Sequence, residues 1–414
     1  MIRSSEKMRT ISASPKRACV RENGCCIMVS FAILATITSP VNTRVLYYRN
    51  ECYPATSWKR LRKMATLRDI AAELGLAVST VSRALSGQAN VEAATRARVL
   101  AAAERLRYRP NALARALRRN QTQTVGLVIP DILNDFYASA AAVLQRVLEQ
   151  QGYRTVLALN NDNPETDAKC LAGLLEQHVD GIVHVPCTKD GARVVRDATH
   201  QIPVIEMNRR SSNGEFDAVL SDEREGSRIL TQHLLQLGHR RIAMIVGPEM
   251  YSTTRDRVDG FNDAFREERV SRDDSSVFFG TYSRTWGKTA MEQVMRRTPR
   301  PTAVYASSSQ LVLGAMAYFA AAGMHVPADC SVVGLGNPDW YQITHPPLTT
   351  YAIPLREMGM IAAQLLLARI TELRSDVVVP TVTRLSGHLI IRASAAQPPS
   401  VSAMPIPEDI DVNT

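Results

Sequence analysis

Residues 66 to 107 constrain this chain most tightly, because apolar side chains recur there at helical spacing and are interrupted by a glycine. Leu67, Ile70, Ala71 and Leu74 follow the i, i+3, i+4, i+7 spacing of a helix with one buried face, and Gly75 stops it. After the turn Gly75-Leu76-Ala77, the residues Val81, Ala84 and Leu85 give a second short helix its apolar side, while Ser79, Thr80, Ser82 and Arg83 stay polar. A third helix is expected over about residues 93–107, with Val99, Leu100, Ala103 and Leu106 as its buried stripe. Two short helices joined by a tight glycine turn make a helix-turn-helix, the second helix of which enters the major groove in proteins that read DNA.

Charge is distributed to match. Of the net +9, residues 1–63 hold 12 Lys and Arg against 3 Asp and Glu. Residues 64–121 hold 10 against 4, and residues 122–414 hold 27 against 33. Basic charge is therefore focused around the helical segment, as phosphate contact requires, and the acidic remainder should keep clear of a polyanion.

The run ATLRDIAAELGLAVSTVSRALSG, continued by YRPNALARALRRNQTQTVGLVIPD, resembles the lactose-repressor (LacI) family of bacterial transcription regulators, over roughly residues 64–394. The resemblance implies a homodimer, with tetramers open, in which two headpieces read the half-sites of a near-palindromic double-stranded operator. It assigns base contacts to Val78, Ser79 and Arg83 and phosphate contacts to Thr66, Ser82 and Thr95, with Leu67 and Thr80 beside them. Residues 109–121 then form a hinge helix contributing Asn111, Ala114, Leu117 and Arg118, with Leu117 wedged into the minor groove. Ten residues cannot hold a helix alone in water, so the hinge should fold on DNA. At the start of the recognition helix the family's serine is replaced by Ala77, which removes one capping bond.

From Thr124 onward, apolar strand-like runs alternate with amphipathic helices, the pattern of parallel sheets covered by helices. The fold class expected is thus α/β: an all-α helix-turn-helix headpiece (64–108), the hinge (109–121), and a two-lobed effector domain like a periplasmic binding protein (122–394). Lobe 1 should hold about 122–221 and 353–383, and lobe 2 about 222–352 and 384–394. Residues 1–63 are read as an extension that is non-native, the physiological start being Met64, or else disordered. Residues 395–414, rich in Pro and Ser, are read as a loose tail.

Ligands of open α/β sheets bind at the carboxyl ends of strands. Position by position, the resemblance implies effector contacts from Phe136, Tyr137, Arg209, Thr253, Arg257, Tyr282, Ser309 and Asn337. Arg257 is the firmest, because it stands in the family's Arg-x-x-Gly-Phe pattern with Gly260 and Phe261. Two acidic positions of the family are lost, one to Gly336 and one within Ser308-Ser309. A cleft keeping Arg209 and Arg257 without those acids should favour an anionic effector, a sugar acid or sugar phosphate, over a neutral sugar.

The basic residues Lys16, Arg17 and Arg21 before an apolar run from Cys25 look like a secretory signal, which leaves a secreted periplasmic solute-binding protein for a sugar as the rival reading. The helix-turn-helix between that segment and the first strand argues against it. Seven dispersed cysteines fit reduced thiols of a cytoplasmic, nucleoid-associated regulator rather than a disulfide framework. Metal spacing, Walker loop, nucleophile elbow and cofactor fingerprint are all missing from the sequence, so neither catalysis nor a cofactor is implied. The function expected is repression of carbohydrate or sugar-acid metabolism genes under allosteric control.

Overall fold

The computed structural model describes the backbone of residues 18–22 and 25–29, and residues 65–86, 90–108, 121–188, 202–212, 214–272, 276–372 and 379–398. The chain divides into two units, residues 1–109 and 110–414. The expected hinge residues Asn111, Ala114, Leu117 and Arg118 lie outside the described residues.

In the first unit, β1 (Ala18–Glu22) pairs antiparallel with β2 (Cys25–Val29), an arrangement the sequence reading did not foresee. Three helices follow: α1 (Leu67–Leu74), α2 (Val78–Leu85) and α3 (Ala93–Arg105). A capping box starts α1: the Thr66 hydroxyl oxygen accepts from the Asp69 amide at 3.4 Å, and the Thr66 amide donates to Asp69 Oδ2 at 2.7 Å, with the Thr66 hydroxyl also donating to that oxygen at 2.9 Å. Gly75 ends it in the left-handed region (φ 67°), where a side chain would be strained. Ile70, Val81, Ala84, Val99, Ala102 and Ala103 form the small core. Leu100 does not belong to the buried stripe as expected. It is 52% exposed, and Ala102 takes the inward position, since Val99, Ala102, Ala103 and Leu106 keep the helical spacing that Leu100 breaks.

The second unit holds two sheets. In lobe 1 the strands are β3 (Thr124–Ile129), β4 (Arg154–Leu159), β5 (Gly181–His184), β6 (Val204–Met207), β7 (Asp217–Ser221) and β13 (Val382–Leu385), all parallel in the order β13-β7-β6-β5-β3-β4. Lobe 2 has β8 (Ile242–Val246), β9 (Val277–Phe279), β10 (Ala303–Ala306), β11 (Ser331–Leu335), β12 (Thr349–Ala352) and β14 (His388–Ile390), in the order β14-β12-β11-β10-β8-β9 with β14 antiparallel. Central strands such as β5, β6, β8 and β10 are buried along their whole length because helices cover both faces. In lobe 1, α4 (Asp135–Gln150) and α11 (Leu355–Glu372) pack on one face through Leu144, Leu148 and Leu366, and α5 (Pro164–Glu176) covers the other through Leu171 and Leu174. In lobe 2, α6 (Glu223–Gln236) and α7 (Ser252–Glu267) cover one face, and α8 (Arg284–Met295) and α9 (Ser309–Ala321) the other, with the short α10 (Trp340–Ile343) after β11.

The chain passes between sheets after Ser221, after Ala352, and between Leu385 and His388. The last crossing falls a few residues beyond Thr383, the expected place, because β13 continues pairing with β7 as far as Leu385. The expected tail is also trimmed: residues 395–398 pack on lobe 2, where the Ala396 carbonyl lies 2.8 Å from His239 Nε2. Each sheet starts at an inner strand and winds outward to both sides. Switch points therefore lie between β3 and β5 and between β8 and β10, and loops from both open toward one cavity.

Candidate effector cavity and nucleic-acid interface

The cavity has a volume of about 490 Å³, within the range that holds small-molecule ligands. All eight residues expected at the effector site line it: Phe136, Tyr137, Arg209, Thr253, Arg257, Tyr282, Ser309 and Asn337. Asn134 caps α4 by accepting from the Phe136 amide at 3.1 Å, which sets Phe136 and Tyr137 in the first turn behind β3. Arg209 follows β6, Thr253 and Arg257 stand on α7, and Tyr282 precedes α8. Ser308 spends its hydroxyl capping α9, and both it and Ser309 line the cavity. Asn337 is partly committed, because its Oδ1 accepts from Arg392 at 2.8 Å.

The sequence reading left both cavity arginines without carboxylates, and the structure corrects this. Arg257 Nε lies 2.7 Å from Glu223 Oε2, with side-chain exposures of only 7% and 1%, and Arg257 Nη1 donates to the Tyr282 hydroxyl at 2.8 Å. Burial opposes the Arg257 charge, but Glu223 beside it more than compensates and holds the guanidinium firmly protonated. Arg209 pairs in the same way with Asp162, at 2.5 and 3.4 Å, and its guanidinium sits 3.8 Å from the centre of the Tyr251 ring. The acid missing at Gly336 is thus supplied from elsewhere in the chain. Asp131, Asp135, Asp162 and Asp339 also line the cavity, so its ionisable lining is more acidic than basic.

Sequence reasoning missed Glu223, Asp162, Asn208, Ser307 and Trp340. Glu223 stands in the first turn of α6, where carboxylates commonly complement the helix dipole, so its position alone carries no signal of a buried pair. Asn208 immediately precedes Arg209, and its amide donates to the Tyr137 hydroxyl at 3.2 Å. Trp340 Nε1 donates to Asp135 at 3.1 Å, joining lobe 2 to lobe 1 across the cavity. Among the described residues, Asn208 Oδ1, Arg209 Nε and Ser307 Oγ, in residues that line the cavity, are buried without a hydrogen-bond partner. Buried polar groups are normally satisfied, and these three atoms are sealed from the cavity space as well as from solvent.

In the headpiece, Ser79 and Arg83 stand one turn apart and exposed on α2, with Val78 beside them at 42% exposure. Thr80 and Ser82 are half-buried on the same helix, and Thr95 is half-buried on α3. Leu67 packs against the headpiece core, so its side chain serves folding first. The Thr66 hydroxyl gives its proton to Asp69 and reaches a phosphate only by leaving the capping box. Ala77 leaves α2 without a side-chain cap, as the sequence implied.

Residues 66–111 match the model of bacterial regulatory proteins of the lacI family, and residues 231–395 match a periplasmic binding protein-like domain. Catabolite control protein A of Priestia megaterium is 30% identical over 73% of this chain and 91% of its own length. The ribose operon repressor of Escherichia coli K12 is 31% identical over 75% of this chain and 94% of its own. The chain belongs to the LacI family. Among solved structures, the Lac repressor dimer bound to operator and the anti-inducer ONPF superposes with a TM-score of 0.73 at 26% identity, covering 81% of this chain and all of that one. A transcriptional regulator CelR–cellobiose complex superposes at 0.61 with 30% identity, covering 80% and all, respectively. This LacI-family protein is a transcriptional regulator with a sensor domain, not an enzyme. Among the described residues no helix is long and apolar enough to cross a membrane.

Proposed function

We propose that this LacI-family protein represses carbohydrate-use genes from the cytoplasm as a homodimer, and that a saccharide in the cavity controls its grip on operator DNA. The observation that carries the reading is a cavity formed by strand ends of both lobes and lined by polar side chains from each, Asn134, Tyr137 and Asn208 from one and Thr253, Ser309 and Asn337 from the other. A polyhydroxylated ligand can hydrogen-bond to groups on both sides and, by touching both lobes, favours one lobe arrangement over another. Solved relatives carry such ligands, cellobiose in one complex and ribose in another from Enterococcus faecium. Val78, Ser79 and Arg83 would read base edges, Thr66, Ser82 and Thr95 would approach phosphates, and Leu117 of the hinge would enter the minor groove.

A binding selection on random duplex DNA, repeated with a panel of saccharides, tests this. The reading requires one enriched near-palindrome whose retention depends on a saccharide. Enrichment of no sequence, or retention indifferent to every saccharide, contradicts it.

A further inference from the structure

We infer that Glu223 and Asp162 set the charge class of the effector: by pairing the two cavity arginines from within the chain, they match the site to an uncharged saccharide and against sugar acids and sugar phosphates. The inference rests on the proposed effector role of the cavity and names the ligand that role admits.

Arg257 is the natural anchor for an anion, but its Nε is already engaged by Glu223 at 2.7 Å and its Nη1 by the Tyr282 hydroxyl. Glu223 is itself inaccessible, with 1% of its side chain exposed, so the counter-charge cannot swing out to make way. Arg209 is likewise spoken for by Asp162, with Tyr251 against its face. An incoming carboxylate or phosphate would have to displace a charge partner and would also meet Asp131, Asp135 and Asp339, which line the same cavity. Like charges brought together out of water repel strongly.

Gly260 completes the arrangement. A Cβ there would overlap the Arg224 carbonyl oxygen, so its absence lets α7 lie against α6 and brings Arg257 onto Glu223.

Titration calorimetry on the full chain with matched pairs tests the inference: glucose with glucuronic acid, galactose with galacturonic acid, ribose with ribose 5-phosphate, cellobiose with cellobionic acid. In each pair that binds measurably, the neutral member should bind tighter by at least about tenfold. In Glu223→Gln that preference should shrink by about tenfold or reverse, because Arg257 is released to face the ligand. Asp162→Asn should act similarly through Arg209. Its side chain is 30% exposed, so this variant decides the matter if Glu223→Gln does not fold. A sugar acid or phosphate that binds wild type tighter than its neutral partner overturns the inference while leaving the saccharide reading intact. So does a preference unmoved in the folded variants. Binding by no member of any pair overturns the saccharide reading itself, and the inference with it.

Discussion

Glu223 Oε2 and Arg257 Nε are 2.7 Å apart although 34 positions separate the residues, and both are nearly sealed from solvent. The pair joins the first residue of α6, just past the lobe 1 to lobe 2 crossing, to the cavity wall. The element that follows the crossing and the element that lines the cavity are thus one electrostatic unit.

Removing one partner of such a pair strands the other. Arg257→Ala should destabilise the protein by about 3–5 kcal/mol, because it leaves Glu223 buried without its counter-charge. Arg257→Met combined with Glu223→Leu should recover most of that loss, since apolar residues of similar volume can replace a buried pair at little cost. Neither protein should respond to effector. Urea denaturation followed by calorimetry separates the two effects, and a double variant as unstable as Arg257→Ala would show that the pair is not the source of the loss.

Recognition helix α2 begins at Ala77 in extended conformation (φ −67°, ψ 143°), the backbone that an N-cap serine adopts. Ala77→Ser should stabilise the headpiece by about 1 kcal/mol. Amide exchange in residues 78–85 should slow correspondingly, and exchange unchanged from wild type would mean that those amides already have partners.

Arg83 is exposed on α2, so its truncation should leave folding almost untouched. Arg83→Ala should weaken specific operator binding by about 1–3 kcal/mol and relax preference at one base position. A uniform loss on all sequences with a shallower salt dependence would instead place Arg83 on a phosphate.

His239 is fully buried, with Nδ1 2.8 Å from Thr302 Oγ1 and Nε2 2.8 Å from the Ala396 carbonyl. Burial lowers its pKa below the ordinary 6.5, and burial lowers that of His233 as well. The unfolded chain therefore binds protons that the folded chain refuses, and stability falls as pH drops below about 6.5. His239→Asn should flatten part of that slope, as read from denaturation midpoints at pH 7.5 and 5.5. An unaltered slope would assign the effect to other groups.

Local periodicity made most of the fold legible. Ile70, Ala71, Val81 and Ala84 are buried where the helical spacing put them, and strands such as β3 and β8 lie where apolar runs mark them. Leu100 escaped because an alanine-rich helix carries two plausible apolar stripes, and only packing chooses between them. The cavity residues followed from position along strand ends and from the family pattern. Their electrostatics did not, because Glu223 reaches Arg257 and Asp162 reaches Arg209 through tertiary contacts that no local spacing records. The loss of an acid at Gly336 was legible in the sequence, whereas the carboxylates that pair Arg257 and Arg209 were not.

The central claim is that cavity and operator are thermodynamically coupled. It is tested most directly by measuring operator affinity by fluorescence anisotropy with and without a saturating neutral saccharide, and saccharide affinity by calorimetry with and without operator. Coupling between two sites on one protein is reciprocal, so both affinities should change by the same factor, typically about 5- to 150-fold. A saccharide that binds the cavity yet leaves operator affinity unchanged, or factors that differ beyond error, would contradict the account.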